Sequence, residues 1–453
     1  MTGVRRDRLT LTLYGSFVTW GWFLYGFSPA VPLLAAEQGT SLALAGLHGT
    51  GMAVGTVLAG TISSTLAVRY GRRVQMLLGT GFLVAGVTGL LLGQVPWQTI
   101  GAILVAAIGG NFLLSAAQPA LMHHHGAAGA AVVTEANATG SGVGLLAPLV
   151  VGAAVAAGLT WRPAVGVVLV LVVVLAVAIA RLPGTGALGR GTPSRRGAVP
   201  AATTTATALA TVRIPDDDAA HQAPAPGSGG TTEGDVADAG GPLVGRVDVD
   251  RAGADAAGGR RGGPGLGRGF GRAFWFFWAA MLAGVAIEFS TTFWAAELVV
   301  SRTAAGPSVA TATVSALVAG MTAARLVLGP LALRKAPEKL LLAAYGVAAL
   351  GFALLWTATS PAVAVIGLVV AGLGYGAHYP LAVSLVLRHA ADRPDQAQAT
   401  ATIGTGVAVG LAPFALGALA DAFGTHAAFL LVPVLIALGA AAVALGLRTV
   451  RRA

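Results

Sequence analysis

Twelve apolar runs of about 20 residues or more, each long enough to cross a hydrocarbon core roughly 30 Å thick, divide this 453-residue chain. Six lie in the first half, at 10–36, 42–67, 74–94, 97–120, 130–158 and 162–182. Six more lie in the second, at 272–299, 308–332, 338–357, 361–387, 397–421 and 427–447. Runs of this kind read as transmembrane helices. The first is too long for a signal-peptide core and lacks a small-residue cleavage site, so it reads as a retained helix. Composition agrees by a separate route. Hydrophobic residues make up 55% of the chain and charged residues 10%, far from a soluble balance. The fold class implied is an all-α integral membrane protein with twelve transmembrane helices.

The two halves echo each other at an offset of 265 residues. Gly55 answers Gly320, Arg69 answers Arg334, Gly81 and Gly86 answer Gly346 and Gly351, and Gly109 answers Gly374. Ala147-Pro148 and Gly152 then answer Ala412-Pro413 and Gly417. Glycine is abundant here, so the arginines and the Ala-Pro-x-x-x-Gly copies strengthen the repeat. Two parallel repeats in a membrane predict two bundles that rock about a shared site, the architecture of a transporter.

Charge sets the topology. With the N-terminus in the cytoplasm, Arg5, Arg6, Arg8, Arg69, Arg72, Arg73, Arg181, Arg334, Lys335, Lys339, Arg388, Arg393, Arg448, Arg451 and Arg452 all fall inside, leaving only Arg162 and Arg302 outside. Both termini are therefore expected in the cytoplasm. The net charge of +10 comes in short bursts between apolar runs and forms no continuous basic face, which argues against a nucleic-acid partner. No cysteine is present, so neither a disulfide framework nor a thiolate metal site is expected. Between the halves, large apolar residues nearly vanish. The expected division is a six-helix bundle over 1–183, a disordered cytoplasmic linker over 184–271 and a second six-helix bundle over 272–453.

The segment Ser64-Thr65-Leu66-Ala67-Val68-Arg69-Tyr70-Gly71-Arg72-Arg73 resembles the G-x-x-x-D-R-x-G-R-R signature of the major facilitator superfamily of transporters. The resemblance covers the whole chain outside the linker. It implies two six-helix bundles, cytoplasmic termini and a cytoplasmic gate at the Arg69, Gly71, Arg72 and Arg73 loop and its copy around Arg334 and Lys335. Ser64 and Val68 replace the signature's glycine and aspartate, so the family's acidic latch does not carry over. Gly140 to Gly152 is similar to the G-x-x-x-G-P-x-x-G-G pattern of proton-linked drug antiporters, with Ala147 in place of the glycine before proline. Its recurrence at Gly410 to Gly417 reads more economically as a packing device between bundles.

Function in such a fold rests on polar groups inside the spans, because ionisable side chains at bilayer depth are costly and tend to face a cavity. Glu288, in the middle of the seventh run, is the sharpest, a carboxyl group in apolar company suited to proton coupling. A structural ion pair with Arg325 of the eighth run is the other reading. Glu135 and Asn137 stand two apart in the fifth run and cannot both face one cavity, whereas Glu135 and Thr139 share a face. Glu135 either binds solute or pairs with arginines at the inner end. In the tenth run, Gly372-Leu-Gly374-Tyr375-Gly376-Ala-His378-Tyr379-Pro380 joins loosening residues to His378, which relays protons or packs. His123, His124 and His125 read as a solvated loop, and Trp275 and Trp294 as interfacial belt residues. By the resemblance, the first, fourth, seventh and tenth helices line the cavity. Trp20, Tyr25, Asn137, Tyr375, Tyr379 and Arg325 are then the candidates for solute contact, beside Glu288, Glu135 and His378 for protons. Such a cavity suits a neutral or weakly charged organic solute. The expectation is a multi-pass protein of a plasma membrane, bacterial and cytoplasmic by the resemblance, acting as a monomer with no cofactor, no metal and no enzymatic activity. A membrane sensor or scaffold of the same fold is the alternative class.

Overall fold

A computed structural model describes residues 6–190, 269–332, 335–390 and 394–452. The predicted linker, from 191 to 268, lies outside the described residues, as does Arg334. Both halves belong to one compact unit. In the first half the helices are α1 (Arg8–Phe27), α2 (Val31–Gln38), α3 (Leu42–Tyr70), α4 (Arg72–Leu92), α5 (Pro96–His125), α6 (Gly129–Gly144), α7 (Leu146–Ala156) and α8 (Arg162–Ala180). The second half has α9 (Arg272–Arg302), α10 (Pro307–Ala332), α11 (Pro337–Thr357), α12 (Pro361–Arg388), α13 (Pro394–Phe423), α14 (Thr425–Ala428) and α15 (Leu431–Arg452). No strand occurs among the described residues.

Three expected spans are each built from two pieces. A 3-10 turn at Ser28–Ala30 joins α1 to α2, where Pro29 and Pro32 remove backbone donors. Leu145 separates α6 from α7 three residues before Pro148, and Phe429 and Leu430 separate α14 from α15. Eleven helices among the described residues are long and apolar enough to cross a membrane. The first span is not among them, since its tryptophans, tyrosines, threonines and glycines dilute its hydropathy. His123–His125 form the last turn of α5 and not a loop. His124 and His125 splay to Asp7 and Thr10, each at 2.8 Å, tying α5 to the start of α1.

The echoed glycines do the same work twice. A methyl group on Gly86 or Gly109 would strike the backbone of Ala106 or Leu83, across the α4–α5 contact. On Gly351 or Gly374 it would strike Ala371 or Ala348, across α11–α12, and these are the same positions plus 265. Gly55 against Leu104 and Gly320 against Val369 repeat the pattern for α3–α5 and α10–α12. Lipid offers little hydrophobic drive between helices, so close backbone approach supplies the dispersion contacts that hold them together. Gly81 and Gly346 meet nothing within 4 Å. We therefore expect Gly109→Val to destabilise the protein by about 1–3 kcal/mol through overpacking, and Gly81→Val to change stability by less than about 0.5 kcal/mol. Thermal unfolding in detergent checks both.

In the first half, two arginines at the end that bears the termini bond backbone carbonyls. Arg73 donates through Nε to the Ile179 carbonyl at 3.3 Å and through its guanidinium to the Ala180 carbonyl, adding side-chain donors at the end of α8. Arg72 donates to the Ala187 carbonyl at 3.0 Å. Gly71, at φ +94°, makes the turn between α3 and α4 that brings them there. Arg162, expected at the opposite end, does likewise for α4. It donates to Leu91 and Gly93 carbonyls at 2.9 and 3.0 Å and is ion-paired with Glu37.

Candidate functional site

The halves meet along two seams related by the repeat, α3 against α13 and α6–α7 against α10. Thr50 donates to the Gly410 carbonyl at 2.6 Å across the first, and Ser315 to the Leu145 carbonyl at 2.9 Å across the second. Donors and acceptors correspond at 265 residues, and each acceptor stands three residues before the proline of an Ala-Pro step. The motif that resembles an antiporter signature thus forms matched contacts between bundles. Gly417 packs on the Leu42 carbonyl and Gly152 within 2.9 Å, as a virtual methyl, of the Ala312 side chain. At the end away from the termini, Asp421 accepts from the backbone of Leu42 at 2.8 Å and Ala43 at 2.7 Å, capping α3 from the other half.

Along α3 and α13 the fit loosens toward the end that bears the termini. A methyl group on Gly46 would lie 2.7 Å from Phe414, on Gly49 2.9 Å from the Val409 carbonyl, and on Gly410 3.3 Å from the Thr50 backbone. On Gly406 it would meet only the Val57 side chain, at 3.4 Å. A narrow cavity of about 30 Å³ lies between the halves at this level, lined by Trp20, Thr56 and Asn111 from the first and Phe289, Thr402 and Thr405 from the second. Asn111 donates to Thr56 and to the Ala107 carbonyl, both at 2.9 Å, which leaves its own carbonyl oxygen as an acceptor.

Glu288 lies about 100° around α9 from Phe289 and turns to the second seam. Its carboxylate stands 3.7 Å from the Arg325 guanidinium, both side chains being largely buried. Arg325 also reaches Ser141 of the first half at 3.3 Å, and Tyr25 interacts with the same guanidinium. Tyr375, held 3.3 Å from the Thr291 hydroxyl, is a further polar neighbour of Glu288. One guanidinium therefore touches a carboxylate of its own half and a hydroxyl of the other.

Other predicted residues stand apart from this cluster. Glu135 pairs with Arg6 at 2.7 Å on a partly exposed surface. Asn137 is buried and donates to the Val133 carbonyl at 2.9 Å. His378 stacks on Tyr345 at 4.1 Å inside the second half, with neither ring nitrogen hydrogen-bonded among the described residues. Tyr379 is buried beside it in sequence. Trp294 is fully buried, its indole donating to the Pro413 carbonyl at 2.8 Å, so it is a packing residue and not part of an interfacial belt. Arg69 lies over the Tyr70 ring, and Lys335 is exposed between α10 and α11. Asn111, Thr56, Phe289 and Ser141 were not singled out from sequence. An amide in the middle of an apolar run was the available signal for Asn111, and the repeat partner of Gly406 for Ser141.

Known structures of similar shape are solute carriers. The nucleoside transporter NupG superposes with a TM-score of 0.67 at 12% identity, covering 97% of this chain and 98% of that one. A bacterial homologue of the human drug peptide transporters PepT1 and PepT2 gives 0.66 at 14%, covering 99% and 100%. The xylose transporter XylE from E. coli, in a partially occluded inward open conformation, gives 0.64 at 11%, covering 96% and 95%. No curated protein sequence matches the chain. The family model described as Major Facilitator Superfamily matches residues 11–393 and again 273–453. With its repeated bundles, matched seams and central cavity, the chain belongs to the Major Facilitator Superfamily of membrane transporters.

Proposed function

We propose that the protein is a proton-coupled secondary transporter that carries a small organic solute by alternating access, with Glu288 as the proton-binding group. The carrying observation is the sharing of Arg325 between Glu288 at 3.7 Å and Ser141 of the other half at 3.3 Å. A charged Glu288 holds the guanidinium toward its own bundle. A proton on Glu288 removes that hold and frees Arg325 for Ser141, Tyr25 or a solute group, so protonation is linked to the contact between bundles. His378, enclosed by aromatic packing, and Glu135, paired with Arg6 near the surface, are less suited to the role. The cavity offers aromatic faces, hydroxyls and one amide, which favours a neutral or weakly charged solute over a phosphorylated one.

The arginine distribution supports cytoplasmic termini, a plasma-membrane location and a first bundle over 1–183 joined through 184–271 to a second over 272–453. In that orientation the tight end of the α3–α13 seam faces outward and the looser end faces the cytoplasm. A thermal-shift screen of the purified protein against metabolites and drugs identifies the solute, since a ligand stabilises the state it binds. In liposomes a pH gradient should then drive its flux, and Glu288→Gln should reduce that flux to the level of empty liposomes while exchange at equal pH persists. Undiminished gradient-driven flux in Glu288→Gln would remove Glu288 from coupling.

A further inference from the structure

The repeat correspondence is broken at one place that bears on how a solute reaches the cavity. On the α6–α10 side, Arg325 and Ser141 are bonded and Val318 is fully buried. The same positions on the α3–α13 side are Gly60, Gly406 and Ala53. One seam is thus filled by a guanidinium, a hydroxyl and an isopropyl group, and the other by two hydrogens and a methyl.

Ala53 and Gly406 line the central cavity, and they also line a second cleft that opens sideways between α3 and α13. Its rim is formed by Val54, Val57, Ile403 and Val407, which are 43%, 40%, 45% and 55% exposed. Both rim helices are membrane spans, so these aliphatic groups face hydrocarbon. Thr50, the one polar side chain of the cleft, spends its proton on the Gly410 carbonyl and offers the cleft no donor. The only atom a methyl group on Gly406 would meet within 4 Å is the tip of Val57, at 3.4 Å, so no bulky side chain fills the seam at the point where cleft and cavity share their lining.

We propose that this cleft is a lateral port between the bilayer and the central cavity, and that the solute is an amphipathic molecule which partitions into lipid and enters between α3 and α13. Its apolar part passes the aliphatic rim and packs on Trp20 and Phe289, and its polar group meets Asn111 and Thr56. This deepens the transporter reading and rests on it.

The chain contains no cysteine, so Thr56→Cys puts a single thiol in the cavity. In liposomes, bilayer-soluble N-pyrenylmaleimide should label it faster than a sulfonated maleimide present on both faces. Closing the port with Gly406→Val should slow the pyrenyl reagent about tenfold, the factor that a barrier rise near 1.4 kcal/mol gives, and leave the sulfonated reagent unchanged. Val57→Trp, on the lipid-facing rim and away from the core, should do the same without a folding burden. Equal rates for the two reagents, or a pyrenyl rate untouched by both closures, would overturn the port. Labelling requires no flux, so the port and the transporter reading can fail separately.

Discussion

Arg325→Met lowers the stability of the folded protein by about 3–5 kcal/mol, the usual result of removing one partner from a buried ion pair. The cost comes from Glu288, left largely buried without its counter-charge. Adding Glu288→Gln to Arg325→Met should recover most of the loss, because the remaining groups are both neutral. Thermal unfolding of the two single variants and the double variant forms a cycle that isolates the pair. Recovery of stability without recovery of gradient-driven flux separates the structural role of the pair from its coupling role. If Arg325→Met unfolds at the wild-type temperature, the two groups do not depend on each other and the proposed mechanism loses its basis.

The second large effect is conformational. Gly417→Leu drives a side chain into the Leu42 carbonyl at the tight end of the α3–α13 seam, where Asp421 also caps α3. Overpacking of about 1–3 kcal/mol is relieved when the bundles part there, which shifts the balance of closed and open forms by about 5–150-fold. Spin labels at Gln94→Cys and Phe423→Cys, both exposed near that end, should report longer distances in Gly417→Leu. Gly142→Leu serves as control, since nothing lies within 4 Å of a methyl there. An unchanged distance distribution in Gly417→Leu would mean that this glycine does not govern closure.

The twelve apolar runs match helical segments of the structure to within about five residues, and eleven of those helices are apolar enough to cross a membrane, because hydropathy is a property of the run itself. Gly86 and Gly109 and their partners 265 residues on were legible as packing positions for a similar reason, as a missing side chain has one common use in a lipid-embedded helix. Pairings across the molecule were less legible. Arg325 was a named partner for Glu288, but Ser141 is a small hydroxyl whose importance comes only from what the fold sets opposite it. The burial of Trp294 and the contacts of His124 and His125 depend on Pro413, Asp7 and Thr10, which local composition does not carry, whereas the break at Leu145 follows locally from Pro148, which cannot donate to the Gly144 carbonyl. The matched hydroxyls Thr50 and Ser315 were visible at the repeat offset.

The most direct test of proton-linked opening needs no solute. With spin labels at Tyr70→Cys in the first half and Lys335→Cys in the second, both exposed at the end that bears the termini, pulsed dipolar distances in liposomes are compared across the acid to alkaline range. In the otherwise wild-type chain the distribution should shift with pH, and with Glu288→Gln it should stay at its acid form at every pH. The same pH-dependent shift in Glu288→Gln, or no shift in the wild-type background, would contradict the assignment of Glu288 as the group whose protonation moves the bundles.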